Sequence, residues 1–317
     1  MQGRVITVGR VSIDLYAREP GVAFRQEQTF SKSVGGSPTN VAVAAARLGH
    51  HATLLTKVGD DELGQYVVER LRSWGVDTSR ITAHPNGLTP VVLAALDPPE
   101  EPKLIFHRQP DAPDTTMDEG VISPSDVSDC DVFWMSGCAL SRGSTATTSM
   151  NWLRHRARAD HTVLDLDYRP SFWKTPGDAR AASQAAIEMC SVVVGNRTEC
   201  DMALGISDPE RAADDLLARG VRLAIVKMGA AGVLLATTNE RVTIAPLRIR
   251  LVCGLGSGDA FGGALIHGLI NNWGLRQIGE LANAAGAYVA TQLTCADAMP
   301  SLATLESFKN DPANQSS

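Results

Sequence analysis

Val132-Phe133-Trp134-Met135-Ser136, Val163-Leu164-Asp165-Leu166-Asp167, Val192-Val193-Val194-Gly195 and Leu223-Ala224-Ile225-Val226-Lys227 are short runs dominated by apolar residues. Helical patterns fall between them, at about Thr145 to Ala159, Asp178 to Met189 and Pro209 to Arg219. A short run that is apolar throughout fits a strand buried on both faces, and parallel strands joined by helices bury both faces. The alternation therefore predicts βαβ units: an α/β protein with a mostly parallel central sheet and helices on both sides.

Outward from this block, Arg4 to Val8 and Ala52 to Val58 read as further buried strands. Val41 to Leu48, ending at Gly49, and Asp61 to Trp74, closed by Gly75, read as helices. Beyond Lys227 the pattern gives a hairpin through Gly229 to Ala236 and Arg241 to Leu247, then two helices from about Asp259 and Leu275. Three more polar β-compatible pieces suit that sheet poorly: Arg10 to Tyr16, Gln26 to Val34, and Pro90 to Leu96 with Lys103 to Arg108 across the turn Asp97-Pro98-Pro99-Glu100. They predict a small β lid built from two insertions. The expected division is a large α/β unit of residues 1-14, 35-87 and 109-310, a lid of 15-34 and 88-108, and a frayed tail at 311-317.

The chain has 317 residues, 29 Lys and Arg against 35 Asp and Glu, a net charge of −6 and 44% apolar residues, the balance of a soluble globular protein. An acidic balance without a block of like charges argues against nucleic-acid partners. No apolar run is long enough to span a membrane, and no signal-like core precedes the first strand, so a cytoplasmic address is expected. The six cysteines form no C-x-x-C pair and read as core residues. The histidines show no H-x-x-x-H spacing, so no structural metal is expected.

Four stretches could carry chemistry. In Gly254-Leu255-Gly256-Ser257-Gly258-Asp259-Ala260-Phe261-Gly262-Gly263 a glycine run opens a helix, which makes a site for anionic oxygens with Asp259 beside it as a general base. The same residues also read as a turn followed by an Asp favoured by the helix dipole. Gly35-Gly36-Ser37-Pro38-Thr39-Asn40 is either a close approach to a polyhydroxylated ligand, with Asn40 as donor and acceptor, or a tight turn with a helix cap. Asp165-Leu166-Asp167-Tyr168-Arg169-Pro170 ends a central strand, where open α/β sheets hold their ligands, and Arg169 could meet an anion there. Arg108 is a second anion candidate or a solvated charge. In Gly195-Asn196-Arg197-Thr198-Glu199, Asn196 could bind a phosphate oxygen and Glu199 could orient water on Mg²⁺, and a capped helix start accounts for the same residues. No P-loop pattern occurs.

The two glycine loops, in this order and separated by most of the chain, resemble the ribokinase-like (PfkB) family of carbohydrate kinases over nearly the whole sequence. The resemblance implies a large α/β domain that binds ATP and Mg²⁺, a small β-sheet lid over the sugar, and phosphoryl transfer to a hydroxyl. It implies Asp259 as the base and the amides of Gly256, Ser257 and Gly258 as the anion hole. Asp14, with Gly35, Gly36 and Asn40, would hold sugar hydroxyls. Asn196 and Glu199 would organise phosphates and Mg²⁺, the latter through water, and Lys227, Gly229, Gly232 and Asn283 would border the nucleotide.

Within the family, the strings through Gly35 to Ala42, Asp165 to Pro170 and Thr294-Cys295-Ala296-Asp297-Ala298-Met299-Pro300 look most like kinases of a keto-deoxy sugar acid. Such a substrate needs a cation for its carboxylate, and Arg108, Arg169 and Lys32 are the candidates. A kinase of another sugar acid or of a neutral sugar, and a non-catalytic sugar-binding regulator, are the alternatives. Lid edges that need covering, together with the pairing of lids in relatives, imply a homodimer. Many relatives carry Asp-Thr ahead of the anion hole where Cys253-Gly254 stand here, so weak or no K⁺ dependence is expected.

Overall fold

The computed structural model describes residues 1–108 and 111–314. In chain order the strands are β1 (Arg4–Val8), β2 (Ser12–Ala17), β3 (Phe30–Gly35), β4 (His51–Gly59), β5 (Ile81–His84), β6 (Val91–Ala95), β7 (Lys103–His107), β8 (Val132–Ser136), β9 (Thr162–Asp165), β10 (Val192–Asn196), β11 (Leu223–Lys227), β12 (Val233–Ala236) and β13 (Arg241–Ile244). The helices are α1 (Ser37–Arg47), α2 (Glu62–Ser73), α3 (Pro124–Asp129), α4 (Gly143–Arg156), α5 (Pro176–Ile187), α6 (Arg197–Leu204), α7 (Pro209–Ala218), α8 (Ser257–Ile270), α9 (Leu275–Ala290) and α10 (Leu302–Asn310).

Nine strands form the large sheet in the order β13-β12-β11-β10-β9-β8-β1-β4-β5. From β5 to β11 every neighbouring pair is parallel, and β12 and β13 close that edge antiparallel. Successive residues of a strand point to opposite faces. On β8, Val132 and Trp134 accordingly enter the core layer shared with α1, α8 and α9, while Phe133 and Met135 enter the layer on the other face. This two-sided burial is why the central strands read as unbroken apolar runs. No helix among the described residues is long and apolar enough to cross a membrane.

A second sheet, β3-β2-β6-β7, stands apart from the first. Its strands come from Ser12–Gly35 and Val91–His107, so Asp14 lies on the small sheet rather than on the large unit where the expected division put it. Residues 109 and 110, where the other expected boundary falls, lie outside the described residues.

Three expectations shift. Helix α1 starts at Ser37 rather than Val41, because Pro38 fits a first turn and Gly36 takes the cap position at φ 108°. Helices α3 and α10 and strand β5 join the elements read from the sequence. The end of the chain is held in place as far as Asn314: Pro312–Asn314 form a 3₁₀ turn, the Arg248 N–H donates to Asn314 O at 3.2 Å, and Asn314 Nδ2 donates to Phe308 O at 3.0 Å. Residues 315–317 lie outside the described residues.

Candidate active site

The carboxyl ends of β8, β9, β10 and β11 bring Ser136, Asp165, Asn196 and Lys227 to one rim of the large sheet. Helix α8 begins at the same rim. Its cap, Gly256, has φ 75°, in the left-handed region, and a Cβ there would strike the Cys295 thiol, so only glycine fits the turn that aims the first amides of α8 outward. Asp259 follows in the first turn, and Asn40 Nδ2 donates to its Oδ2 at 2.7 Å. This contact joins the two glycine loops across the chain. Burial pushes the Asp259 carboxyl up to about 6, Asn40 and Ser37 pull it back, and Asp167 opposes them. Lys227 Nζ stands 3.1 Å from the position a Cβ would take on Gly258, which places a cation beside the open amides.

Around the other side of this space lies Asp14. Its Oδ1 accepts from Ser12 Oγ at 2.7 Å and its Oδ2 from the Tyr16 hydroxyl at 3.1 Å, and Tyr16 lies 2.9 Å from Cys295 Sγ. Burial raises the Asp14 carboxyl above the usual range. Gly35 is the one residue that fits opposite, since a Cβ there would collide with the Asp14 carboxylate. The turn at the tip of the β6–β7 hairpin reaches the start of the anion loop, where the Gly254 N–H donates to Pro99 O at 2.9 Å.

A third group of charges lines the rim. Asp167 Oδ2 accepts from Ser136 Oγ at 2.8 Å, and Arg169 Nη2 lies 2.9 Å from Asp167 Oδ1. Burial alone would raise Asp167, but Arg169 and Arg10 outweigh it and hold the carboxyl below its ordinary value. Asn196 and Glu199 form a reciprocal helix cap: the Asn196 N–H donates to Glu199 Oε2 at 2.7 Å and the Glu199 N–H donates to Asn196 Oδ1 at 2.9 Å. The capped-helix reading is therefore true. It leaves Glu199 Oε1 uncommitted to the cap, 4.0 Å from Arg169 Nη1.

The sequence points to the stretch that contains Asp165 but not to Asp165 itself. Its Oδ1 is buried without a hydrogen-bond partner and sits 3.9 Å from Lys227 Nζ. Burial, with Glu199, Asp167 and Asp259 nearby, raises its carboxyl, and Lys227 counters only in part. An orphaned carboxylate oxygen next to Glu199 fits a divalent cation that keeps most of its waters, as Mg²⁺ does with one or two carboxylates. Among the described residues no cluster of three or more carboxylate, histidine or cysteine ligands forms a closed cage.

Asn283 lies on α9 and donates to Ala245 O at 2.9 Å, where it helps line a cavity of ≈ 430 Å³ with Ile244, Leu247, Arg276 and Lys309. Gly229 and Gly232 flank the 3₁₀ turn that follows β11. Two of the three basic candidates do not stand free at the site. Lys32 pairs with Leu15 on the face of the small sheet opposite Asp14 and Ser33, and its Nζ lies 3.8 Å from the Tyr66 ring centre. Arg108 is locked to Asp114, Nη2 to Oδ1 at 2.6 Å, with side chains only 10% and 2% exposed. A second residue that sequence reasoning missed, after Asp165, is Arg10, at the junction of the two sheets.

A helix N-terminus open to an anion, a lysine beside it and a carboxylate poised over the same space are the parts a phosphoryl-transfer enzyme needs. The family model described as pfkB family carbohydrate kinase matches residues 2–302, and the chain belongs to this family. It is 30% identical to a 5-dehydro-2-deoxygluconokinase of Geobacillus kaustophilus (strain HTA426), over 98% of this chain and 95% of that one. A 5-dehydro-2-deoxygluconokinase of Clostridium tetani (strain Massachusetts / E88) is 28% identical over 96% of this chain and 92% of that one. Among solved structures, a putative ribokinase II from E. coli superposes with a TM-score of 0.87 at 24% identity, over 96% and 98% of the two chains. A fructokinase from Vibrio cholerae O395 with fructose, ADP and calcium bound gives 0.85 at 24% identity, over 98% and 99%.

Proposed function

We propose that this carbohydrate kinase transfers the γ-phosphoryl group of ATP to the 6-hydroxyl of 5-dehydro-2-deoxy-D-gluconate, a step of myo-inositol catabolism. The observation that carries the chemistry is the 2.7 Å contact between Asn40 and Asp259, which unites a hydroxyl-binding loop, a base and an anion hole. The names of the curated relatives support the substrate.

In this reading Asp14, Gly35, Gly36 and Asn40 orient the sugar so that its terminal hydroxyl faces Asp259. Asp259 takes the hydroxyl proton as the sugar oxygen bonds to the γ-phosphorus and the bond to the β-phosphate oxygen breaks. The amides of Gly256, Ser257 and Gly258 and the Lys227 ammonium stabilise the charge on the transferring group. Asp165, and Glu199 through water, would hold Mg²⁺, which would supply neutralisation of phosphate charge. Asn196, Gly229, Gly232 and Asn283 border the nucleotide, whose base would enter the cavity lined by Ile244 and Leu247. The small sheet acts as a lid that excludes water, which suppresses ATP hydrolysis. Exposed Phe30 and Ile105 on its two edge strands support a homodimer formed through the lid.

A coupled ADP-release assay with Mg·ATP tests the substrate, run in parallel on 5-dehydro-2-deoxy-D-gluconate, 2-keto-3-deoxygluconate, fructose and ribose. Strong preference for the first is expected. Preference for another moves the chain to that substrate with the same chemistry, and no ADP from any of the four favours a non-catalytic sugar-binding protein. The same assay in K⁺ and in tetramethylammonium is expected to give nearly equal rates, because Cys253-Gly254 offer no carboxylate and hydroxyl for a monovalent ion. A large rate difference defeats that expectation.

A further inference from the structure

Three arginines lie near the place where the two sheets join, and two of them, Arg10 and Arg108, stand over the ring of Phe172. Arg108 carries its charge over that ring at 4.5 Å and is matched by Asp114. Arg169 also keeps an unpartnered Nε, but its charge is matched by Asp167 at 2.9 Å. Arg10 differs. It is 9% exposed, its Nε is buried without a partner, and among the described residues its guanidinium makes no hydrogen bond or ion pair.

Asp167 and Asp14 act on it through space and favour its cationic form, but their hydrogen bonds go elsewhere. Asp14 accepts from Ser12 and Tyr16, and Asp167 from Ser136 and Arg169. Phe106 of β7 and Phe172 pack edge to face at 4.9 Å and together back one side of the guanidinium, with its central carbon 5.8 Å from each ring centre. The backbone of Arg10 is pinned where Thr39 Oγ1 donates to its carbonyl at 3.0 Å. Desolvating a cation is costly unless an anion meets it. Here the protein has brought a cation to the junction of the two sheets and left its guanidinium without a hydrogen-bond partner among the described residues.

We infer that Arg10 receives the carboxylate of the substrate, backed on one side by the two aromatic rings, with its fork of N–H groups facing the acid end of the sugar while Asp259 faces the reacting hydroxyl. The inference rests on the sugar-acid reading above and replaces Arg108, Arg169 and Lys32 as the carboxylate ligand. An aliphatic or ammonium side chain cannot reproduce the planar fork that matches a carboxylate.

The test compares the wild type with Arg10→Met and Arg10→Lys on 5-dehydro-2-deoxy-D-gluconate and on its neutral C1 amide. Arg10→Met is expected to raise KM for the acid by about 10²-fold, the size of a lost charge-assisted pair, with kcat largely kept and KM for the amide little changed. Arg10→Lys keeps the charge and guards against misfolding of the first variant. It is expected to raise KM for the acid by a smaller factor while still preferring acid to amide. If the wild type prefers fructose or ribose to the acid, the sugar-acid reading falls and the role of Arg10 with it. If the wild type prefers the acid but the variants lose acid and amide equally, or lose neither, the assignment of Arg10 alone is overturned.

Discussion

Asp259→Asn is expected to lower turnover by about 10²–10⁴-fold, the usual worth of a positioned general base, while sugar and ATP binding stay nearly unchanged. The substitution is isosteric and can be absorbed locally. Asn40 donates to Asp259 Oδ2, and its own Oδ1 is buried without a partner, so a flip of the Asn40 amide restores a hydrogen bond to the new side chain. The wild-type pH profile carries the same information. Burial is the first cause that lifts the Asp259 carboxyl to about 6, and a protonated carboxyl cannot accept the hydroxyl proton. The rate should therefore fall as pH drops through about 6 and be fully developed above it, and the residual rate of the variant should lack that limb. Wild-type turnover in the variant would remove Asp259 from the role. An acid limb that persists in the variant would move the titration to the neighbouring Asp165, whose carboxyl is also raised by burial.

The large sheet was legible because its strands are buried on both faces, so Val132–Ser136 and Leu223–Lys227 announce themselves without reference to any partner. The elements that escaped are those with little periodicity to read: β5 has four residues with none buried, and α3 has six with only Val127 buried. The glycine loops were legible for a different reason, since backbone geometry leaves a local trace in residue type.

Side-chain charges leave no such trace. Lys32, Arg108 and Arg10 look alike in sequence, and tertiary context alone separates them. Strand pairing turns Lys32 to the far face of β3, Asp114 neutralises Arg108, and Phe106 and Phe172, from distant segments, back one side of Arg10. Asn196 and Glu199 show that the two readings of one motif need not compete, since a capping box fixes one Glu199 oxygen and leaves the other toward the site.

The corrected place of Arg108 yields the largest expected effect on stability. Asp114 is 2% exposed and receives Arg108 at 2.6 Å and 3.4 Å, together with the Val11 N–H at 3.2 Å. The pair thus ties the end of β7 to the backbone next to Arg10. Truncating one partner of a buried pair leaves the other as an uncompensated charge, which costs about 3–5 kcal/mol. Arg108→Met is therefore expected to lower the unfolding free energy by about that amount, read as a shift of several degrees in the thermal midpoint and of the denaturant midpoint at constant slope. Adding Asp114→Asn should recover part of the loss, because the amide is neutral and can still accept from Val11. Acid and amide substrates should suffer alike in Arg108→Met, since its charge serves Asp114 and not the ligand. A variant that kept its stability but lost selectivity for the acid would return Arg108 to the carboxylate and remove that role from Arg10.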